Sequence, residues 1–329
     1  MKLPSLEEIK AAQELVYRYM TPTPQYTWPL LNARLGPGPE AEAGCEVWIK
    51  HENHTVLGAF KLRGALVYLS RLKEQQPGLE GVVAATRGNF GQGVAMAARL
   101  FGLKAVIVVP HGNSPEKNLA TQAQGAELVE HGHDFQASLE HARTLAGERG
   151  FAFVDSFHEL LVHGTATYAI EFLQSAPALD RVYVPIGMGS SICGVAAARN
   201  ALGLKTEIVG VAAARSPSYA RSFAERRLVE APAETAIADG MACRRPDAQA
   251  LEAIRENVAR MVEVQDEEIM EAMRALFVDT HNVAEGAGAA SLAAAMQERD
   301  GLRGKRVGLV LTGGNVDRTQ FAAVLQGAA

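Results

Sequence analysis

Short apolar, β-branched runs alternate along the chain with longer alanine-rich stretches. The runs predict strands at Glu46–Lys50, Val82–Ala85, Ala105–Val109, Glu127–Glu130, Arg181–Pro185, Glu207–Ala212 and Arg306–Leu311. Between them lie segments of helical character, such as Gly93–Phe101, Phe135–Ala146 and Thr165–Gln174. Strand, helix and strand repeated in this way predict an α/β fold, parallel sheets with helices on both faces. Val106–Val109 is apolar without a break, as a strand buried on both sides would be. The units form two runs that part near Gly147–Phe151, which predicts two lobes with a cleft between them. Ahead of both, Ser5 and Glu8 stand at capping-box spacing and open a helix expected to reach about Met20. Thr21-Pro22-Thr23-Pro24 then stops it, because proline cannot continue the hydrogen-bond ladder.

Composition narrows the function classes. With 329 residues, 48% of them hydrophobic, the chain has ample material for a buried core. Aromatics are only 6%, which favours close-packed helices on a sheet over an all-β sandwich. Lys and Arg total 32 against 37 Asp and Glu, and no basic stripe stands out, so neither nucleic acid nor an anionic membrane is an expected partner. No stretch approaches the roughly 18 uncharged apolar residues of a membrane span. The N-terminus meets Glu7 and Glu8 where a signal peptide would be apolar. Cys45, Cys193 and Cys243 include no CxxC pair, so a disulfide scaffold or zinc site is not expected. The expectation is a reduced, cytoplasmic protein.

Four segments could carry chemistry. Gly187-Met188-Gly189-Ser190-Ser191-Ile192-Cys193-Gly194 joins a strand to a helix, where glycines let backbone N–H groups converge on an anion. A tight structural turn would look the same, so both readings stay open. In Gly58-Ala59-Phe60-Lys61-Leu62, a lysine among small and apolar residues stands at a helix start. It is either a surface lysine or a desolvated amine able to act as a nucleophile. Thr86-Arg87-Gly88-Asn89 again links strand to helix, either as an ordinary capped turn or as a carboxylate cradle. Thr312 follows the last strand, at the edge of an α/β sheet where ligands sit.

Taken together, in this order, these segments resemble the fold-type II pyridoxal-phosphate enzymes, the threonine dehydratase and serine racemase family. The resemblance runs from Thr21-Pro22 to Asn315 and includes Lys50-His51-Glu52-Asn53, Gly125-Ala126-Glu127 and Thr235–Met241. It implies a tryptophan synthase beta-like architecture with the cofactor, pyridoxal 5'-phosphate, in the cleft. It also implies a small domain over residues 53–150 and a large cofactor-binding domain over 1–52 plus 151–329, with no C-terminal regulatory domain. Lys61 would carry the cofactor and act as base, and Phe60 would line the pyridine face. Asn89 would bond the phenolic oxygen, Gly187, Met188, Gly189, Ser190 and Ser191 would hold the phosphate, and Thr312 would face the pyridine nitrogen. Thr86, Gly88 and Asn89 would hold the substrate carboxylate. A neutral hydroxyl at Thr312 stabilises a pyridinium less than a carboxylate would, which suits β-elimination better than transamination. The implied activity is that of an ammonia-lyase: L-threonine to 2-oxobutanoate and ammonia, and L-serine to pyruvate, in a homodimer.

Departures from the family pattern shape the alternatives. Serine racemases place a serine where this chain has Arg87, and a guanidinium is a poor base, so racemisation is disfavoured. Arg87 is instead a candidate substrate ligand, which makes 3-hydroxyaspartate an alternative substrate. No acidic residue follows Val209-Gly210-Val211, where metal-binding members have one, so no metal is expected. A residual racemase, a β-replacement synthase and a catalytically silent cofactor-binding protein complete the alternatives.

Overall fold

The computed structural model describes residues 1–36 and 44–327. From the N-terminus come α1 (Leu6–Val16), β1 (Gln25–Thr27), α2 (Pro29–Leu35) and β2 (Glu46–His51). A run of strand–helix units follows: α3 (Lys61–Gln75), β3 (Gly81–Ala85), α4 (Asn89–Leu100), β4 (Lys104–Val109), α5 (Pro115–Ala123), β5 (Glu127–Glu130), α6 (Phe135–Arg149) and β6 (Ala152–Phe153). Next are α7 (Glu159–Ser175), β7 (Arg181–Pro185), α8 (Ser190–Ala201), β8 (Glu207–Ala213), α9 (Ser218–Glu225) and α10 (Ala248–Asn257). The chain continues through β9 (Arg260–Val264), α11 (Asp266–Thr280), α12 (Gly286–Gln297), β10 (Arg306–Leu311) and α13 (Arg318–Leu325).

Two sheets result. One has four strands in the order β5-β4-β3-β6, all parallel, and the other six in the order β1-β2-β10-β7-β8-β9. The larger sheet is parallel except for its edge strand β1, which runs antiparallel to β2. Parallel pairing puts the C-terminal ends of neighbouring strands on one edge, and ligands bind beyond that edge in open α/β sheets. Beyond it lie the loops after β3, β7 and β10, which hold Thr86–Asn89, Gly187–Gly189 and Thr312.

The seven expected strands are present, each within one residue of its expected ends. Three further strands were not legible. β1 and β6 have only three and two residues, too short to show a period. β9 reads Arg-Met-Val-Glu-Val and lies at a sheet edge, so charge interrupts its apolar run. At the N-terminus both capping-box bonds between Ser5 and Glu8 form, yet α1 ends at Val16 instead of about Met20. The Tyr19 and Met20 amides both turn back to the Val16 carbonyl, closing the helix before the prolines.

Small residues pack α7 between α3 and α8, the helices that begin at Lys61 and Ser190. A Cβ on Gly164 would lie 2.3 Å from the Arg63 carbonyl oxygen, and one on Gly194 would lie 2.6 Å from Thr165 Oγ1. Neither position tolerates a side chain without moving a helix. Beneath them Arg63, fully buried, donates to Glu52 at 2.8 Å and to Glu171 at 2.6 Å, while Lys50 Nζ reaches Glu171 at 2.6 Å. Two cations thus face two carboxylates, and no charge in the group is left uncompensated.

Candidate active site

The loops at the strand ends enclose a cleft of about 950 Å³, including its open mouth. Phe60, Lys61, Thr86, Arg87, Gly88, Asn89, Gly187, Met188, Gly189, Ser190, Ser191 and Thr312 all line it. The residues singled out in the sequence therefore come together in one place.

Lys61 is the first residue of α3, directly after Phe60, whose amide donates to the Thr312 carbonyl at 3.1 Å. That bond and the bridge between Ala59 and Gly313 fasten the lysine segment to the end of β10. Lys61 Nζ sits 4.6 Å from the centre of the Phe60 ring. Burial pushes its pKa down to about 8, although Glu285 pulls the other way. At pH 7 about a tenth of this amine is unprotonated, far more than for an ordinary lysine, and the neutral form is the one a nucleophile or base requires. The surface-lysine reading is therefore set aside.

Two helix N-termini open onto the cleft, those of α4 and α8. Neither has a side-chain cap or an acidic residue in its first turn, so their leading N–H groups are free to bind anions. The α8 loop is held from behind. Tyr219 donates to the Met188 carbonyl at 2.8 Å, Thr165 donates to the Ser190 carbonyl at 2.7 Å, and the Tyr168 hydroxyl lies 2.6 Å from Ser191 Oγ. Gly189 has φ +103°, in the region that favours glycine. Before α4 the Gly88 amide donates to Thr86 Oγ1 at 3.0 Å. Cys193, within α8, is buried among apolar groups, and burial raises its thiol pKa to about 12, so it packs instead of reacting. Arg87 is half-buried at the cleft wall and has no hydrogen-bond or ion-pair partner among the described residues.

Sequence reasoning missed a second set of cleft residues, Lys117, Asp239 and Glu285. Lys117 Nζ lies 2.7 Å from Asp239 Oδ2 and 3.3 Å from Glu285 Oε2. Burial works against its charge, but the two carboxylates outweigh it and hold its pKa above the usual lysine range. Glu285 Oε1 also accepts from Asn89 Nδ2 at 2.5 Å. Lys117 reads in sequence as one more polar residue of a short helix and offered no signal. Asp239 lies within Thr235–Met241, which carried the resemblance without a role, and Glu285 precedes a glycine- and alanine-rich helix.

A half-buried lysine of lowered pKa, an aromatic ring beside it and an uncapped helix N-terminus are the groups that an aldehyde bearing a phosphate and a flat ring would need. The family model described as "Pyridoxal-phosphate dependent enzyme" matches residues 20–313. The chain belongs to this family. Pyridoxal 5'-phosphate is accordingly its cofactor, and its architecture is that of fold-type II. An L-threonine ammonia-lyase of Thermotoga maritima is 34% identical over 83% of this chain and 68% of the relative. An L-threo-3-hydroxyaspartate ammonia-lyase of a Pseudomonas species is 35% identical over 99% of this chain and 100% of the relative. Among solved structures, a pyridoxal 5'-phosphate-dependent aspartate racemase superposes with a TM-score of 0.88 at 29% identity, covering 96% of this chain and 97% of that one. Among the described residues, no helix is long and apolar enough to cross a membrane.

Proposed function

We propose that this protein is an ammonia-lyase that eliminates water from a β-hydroxy amino acid, L-threonine foremost and L-serine with it. The observation that carries the reading is Lys61, half-buried beside Phe60 in the cleft with its pKa lowered to about 8. When bound, the cofactor supplies the electron sink that lets the substrate's α-carbon give up its proton. The chain's residues supply the rest. Lys61 Nζ takes the α-proton, and its lowered pKa makes the basic form far easier to reach near neutral pH than for an ordinary lysine. The N-terminus of α8, with Gly187 to Ser191, would hold the phosphate, Thr312 would face the pyridine nitrogen and Asn89 would bond the phenolic oxygen. Thr86, Gly88 and the first amides of α4 hold the substrate carboxylate and so present the α-hydrogen to Lys61. The α-proton and the β-hydroxyl together make up the water that leaves. Hydrolysis of the resulting enamine yields 2-oxobutanoate from threonine, or pyruvate from serine, and ammonia. The same reading places the protein in the cytoplasm as a homodimer, which fractionation and sedimentation would check.

Arg87 favours a second reading, in which the substrate carries another carboxylate. A guanidinium on the cleft wall with no protein partner matches the β-carboxylate of L-threo-3-hydroxyaspartate. The Pseudomonas relative bears that substrate's name and matches essentially the whole chain. Formation of 2-oxo acid by the purified holoenzyme from threonine, serine and L-threo-3-hydroxyaspartate separates the two, with Lys61→Ala as control. Product from threonine that vanishes in the control supports the first reading. Product from hydroxyaspartate alone replaces it with the second, and no product from any of the three overturns both.

A further inference from the structure

The Asn89 amide is gripped at both ends. Its Nδ2 donates to Glu285 Oε1 at 2.5 Å, and its Oδ1 accepts from Asn315 Nδ2 at 2.9 Å. Asn315 Nδ2 also donates to the Leu57 carbonyl at 2.7 Å. A backbone carbonyl can only accept, so the Leu57 contact assigns the NH₂ end of Asn315, and both its hydrogens are then used. Asn315 therefore favours the orientation in which Asn89 turns its oxygen to Asn315 and its NH₂ to Glu285. An ionised carboxylate can only accept, so it enforces the same orientation from the other side. One hydrogen of Asn89 Nδ2 is thereby committed to Glu285, leaving one for the cleft that Asn89 lines.

What keeps Glu285 an acceptor is Lys117. Glu285 is almost wholly buried, and burial, with the Asp239 carboxylate adding to it, holds its pKa above the usual carboxylate range. A protonated Glu285 could donate to Asn89 Oδ1 and let the amide turn over. The Lys117 ammonium at 3.3 Å opposes that, and Asp239 at 2.7 Å anchors the ammonium from its other side. Gly88 makes room for the arrangement, since a Cβ there would lie 2.6 Å from Lys117 Cδ.

We propose that Glu285, held in its accepting form by Lys117, is a positioning residue that makes Asn89 present a hydrogen-bond donor to the cofactor's phenolic oxygen. The proposal rests on the reading above, in which Asn89 meets that oxygen. A donor there favours the unprotonated phenolic oxygen, and hence the longer-wavelength of the bound cofactor's two absorption bands. An acceptor there favours the protonated oxygen and the shorter-wavelength band.

The test is the absorption spectrum and cofactor dissociation constant of the purified holoenzyme, compared among the parent, Glu285→Gln, Lys117→Met and Lys117→Arg. Glutamine at 285 keeps the shape, but the Lys117 ammonium draws its oxygen and so turns its NH₂ to Asn89, which must then offer Oδ1. Glu285→Gln and Lys117→Met are expected to shift intensity to the short-wavelength band and weaken cofactor binding about tenfold, the scale of one buried hydrogen bond. Lys117→Arg, which keeps the charge, is expected to restore the parent spectrum. A role confined to holding the fold together would lower the melting temperature and leave the band ratio alone, which would overturn the proposal. If Glu285→Gln does not fold, Asn315→Asp tests the amide from its other end, and an unchanged band ratio there overturns it equally. Failure of the parent itself to bind the cofactor would refute the underlying reading instead.

Discussion

Arg63 and Glu171 face each other out of water, Nη1 donating to Oε1 at 2.6 Å, and their contact ties α3 to α7. Lys61 begins α3, so the pair anchors the helix that carries it. Glu171 also accepts from Lys50 at 2.6 Å and from the Tyr17 hydroxyl at 2.7 Å. Glu171→Ala would leave Arg63 and Lys50 with Glu52 as the one carboxylate of the group. Stranding buried charge in this way costs about 3–5 kcal/mol. The expected result is a melting temperature lower by roughly 5 °C in scanning calorimetry. An unchanged melting temperature would mean that water enters the network.

Lys61 makes the apoprotein's stability depend on pH in a definite direction. Its pKa falls from 10.5 to about 8 on folding, so the unfolded chain holds the proton more tightly. Below pH 8 the lysine is charged in both states, and folding bears the full penalty of burying it. Between 8 and 10.5 the folded state sheds the proton first, so the penalty fades as pH rises. Lys61→Met should therefore stabilise the apoprotein by up to about 3 kcal/mol at pH 7, and progressively less as pH approaches 10. Urea unfolding of both proteins across this range checks it, and a gain independent of pH would contradict it.

Cofactor capture should follow the same ionisation. The neutral amine is the reactive form. The rate at which the apoprotein develops the bound cofactor's absorption should rise through about pH 8. A rate flat from pH 6.5 to 9.5 would place the limiting step elsewhere.

Gly189 combines φ +103° with close neighbours: a Cβ there would lie 2.9 Å from the Ala250 Cβ and 3.3 Å from the Tyr219 hydroxyl. Gly189→Ala therefore strains the backbone and presses on the tyrosine that holds the Met188 carbonyl. Strain of this type costs about 1–3 kcal/mol. The Gly187–Ser191 loop should shift, and titration with pyridoxal phosphate should show at least about tenfold weaker binding.

Arg87→Met separates the substrates. A charged hydrogen bond to a second carboxylate contributes about 1.5–3 kcal/mol, so kcat/KM for hydroxyaspartate should fall roughly tenfold to a hundredfold. Threonine has no second carboxylate and should lose far less. Equal losses for both substrates would remove Arg87 from substrate selection.

Much of this was legible along the chain, for local reasons. The strands that cross the sheets are continuous apolar runs, because both their faces are covered. The loops at Thr86–Asn89 and Gly187–Ser191 could be read because the turn, its glycines and the helix after it are neighbours in sequence. The edge strands β1, β6 and β9 escaped because they are short or broken by charge. Asn89 shows the limit within the site: its place at the start of a helix was readable, but its partners Glu285 and Asn315 were not.

The sequence by itself determined the alternation of strands and helices, the glycine-bearing strand-to-helix loops and the lysine at a helix start, because each arises within a few consecutive residues. Only the tertiary structure decided what those groups become. Lys117 meets Asp239 and Glu285 across 122 and 168 residues of chain, and neither carboxylate marks the lysine as anything but a surface residue until the chain folds. Lys61 owes its lowered pKa to burial, and burial is set by what packs around the amine in three dimensions. Short-range pattern reports local conformation, whereas desolvation and charge pairing depend on neighbours that the chain brings together only on folding.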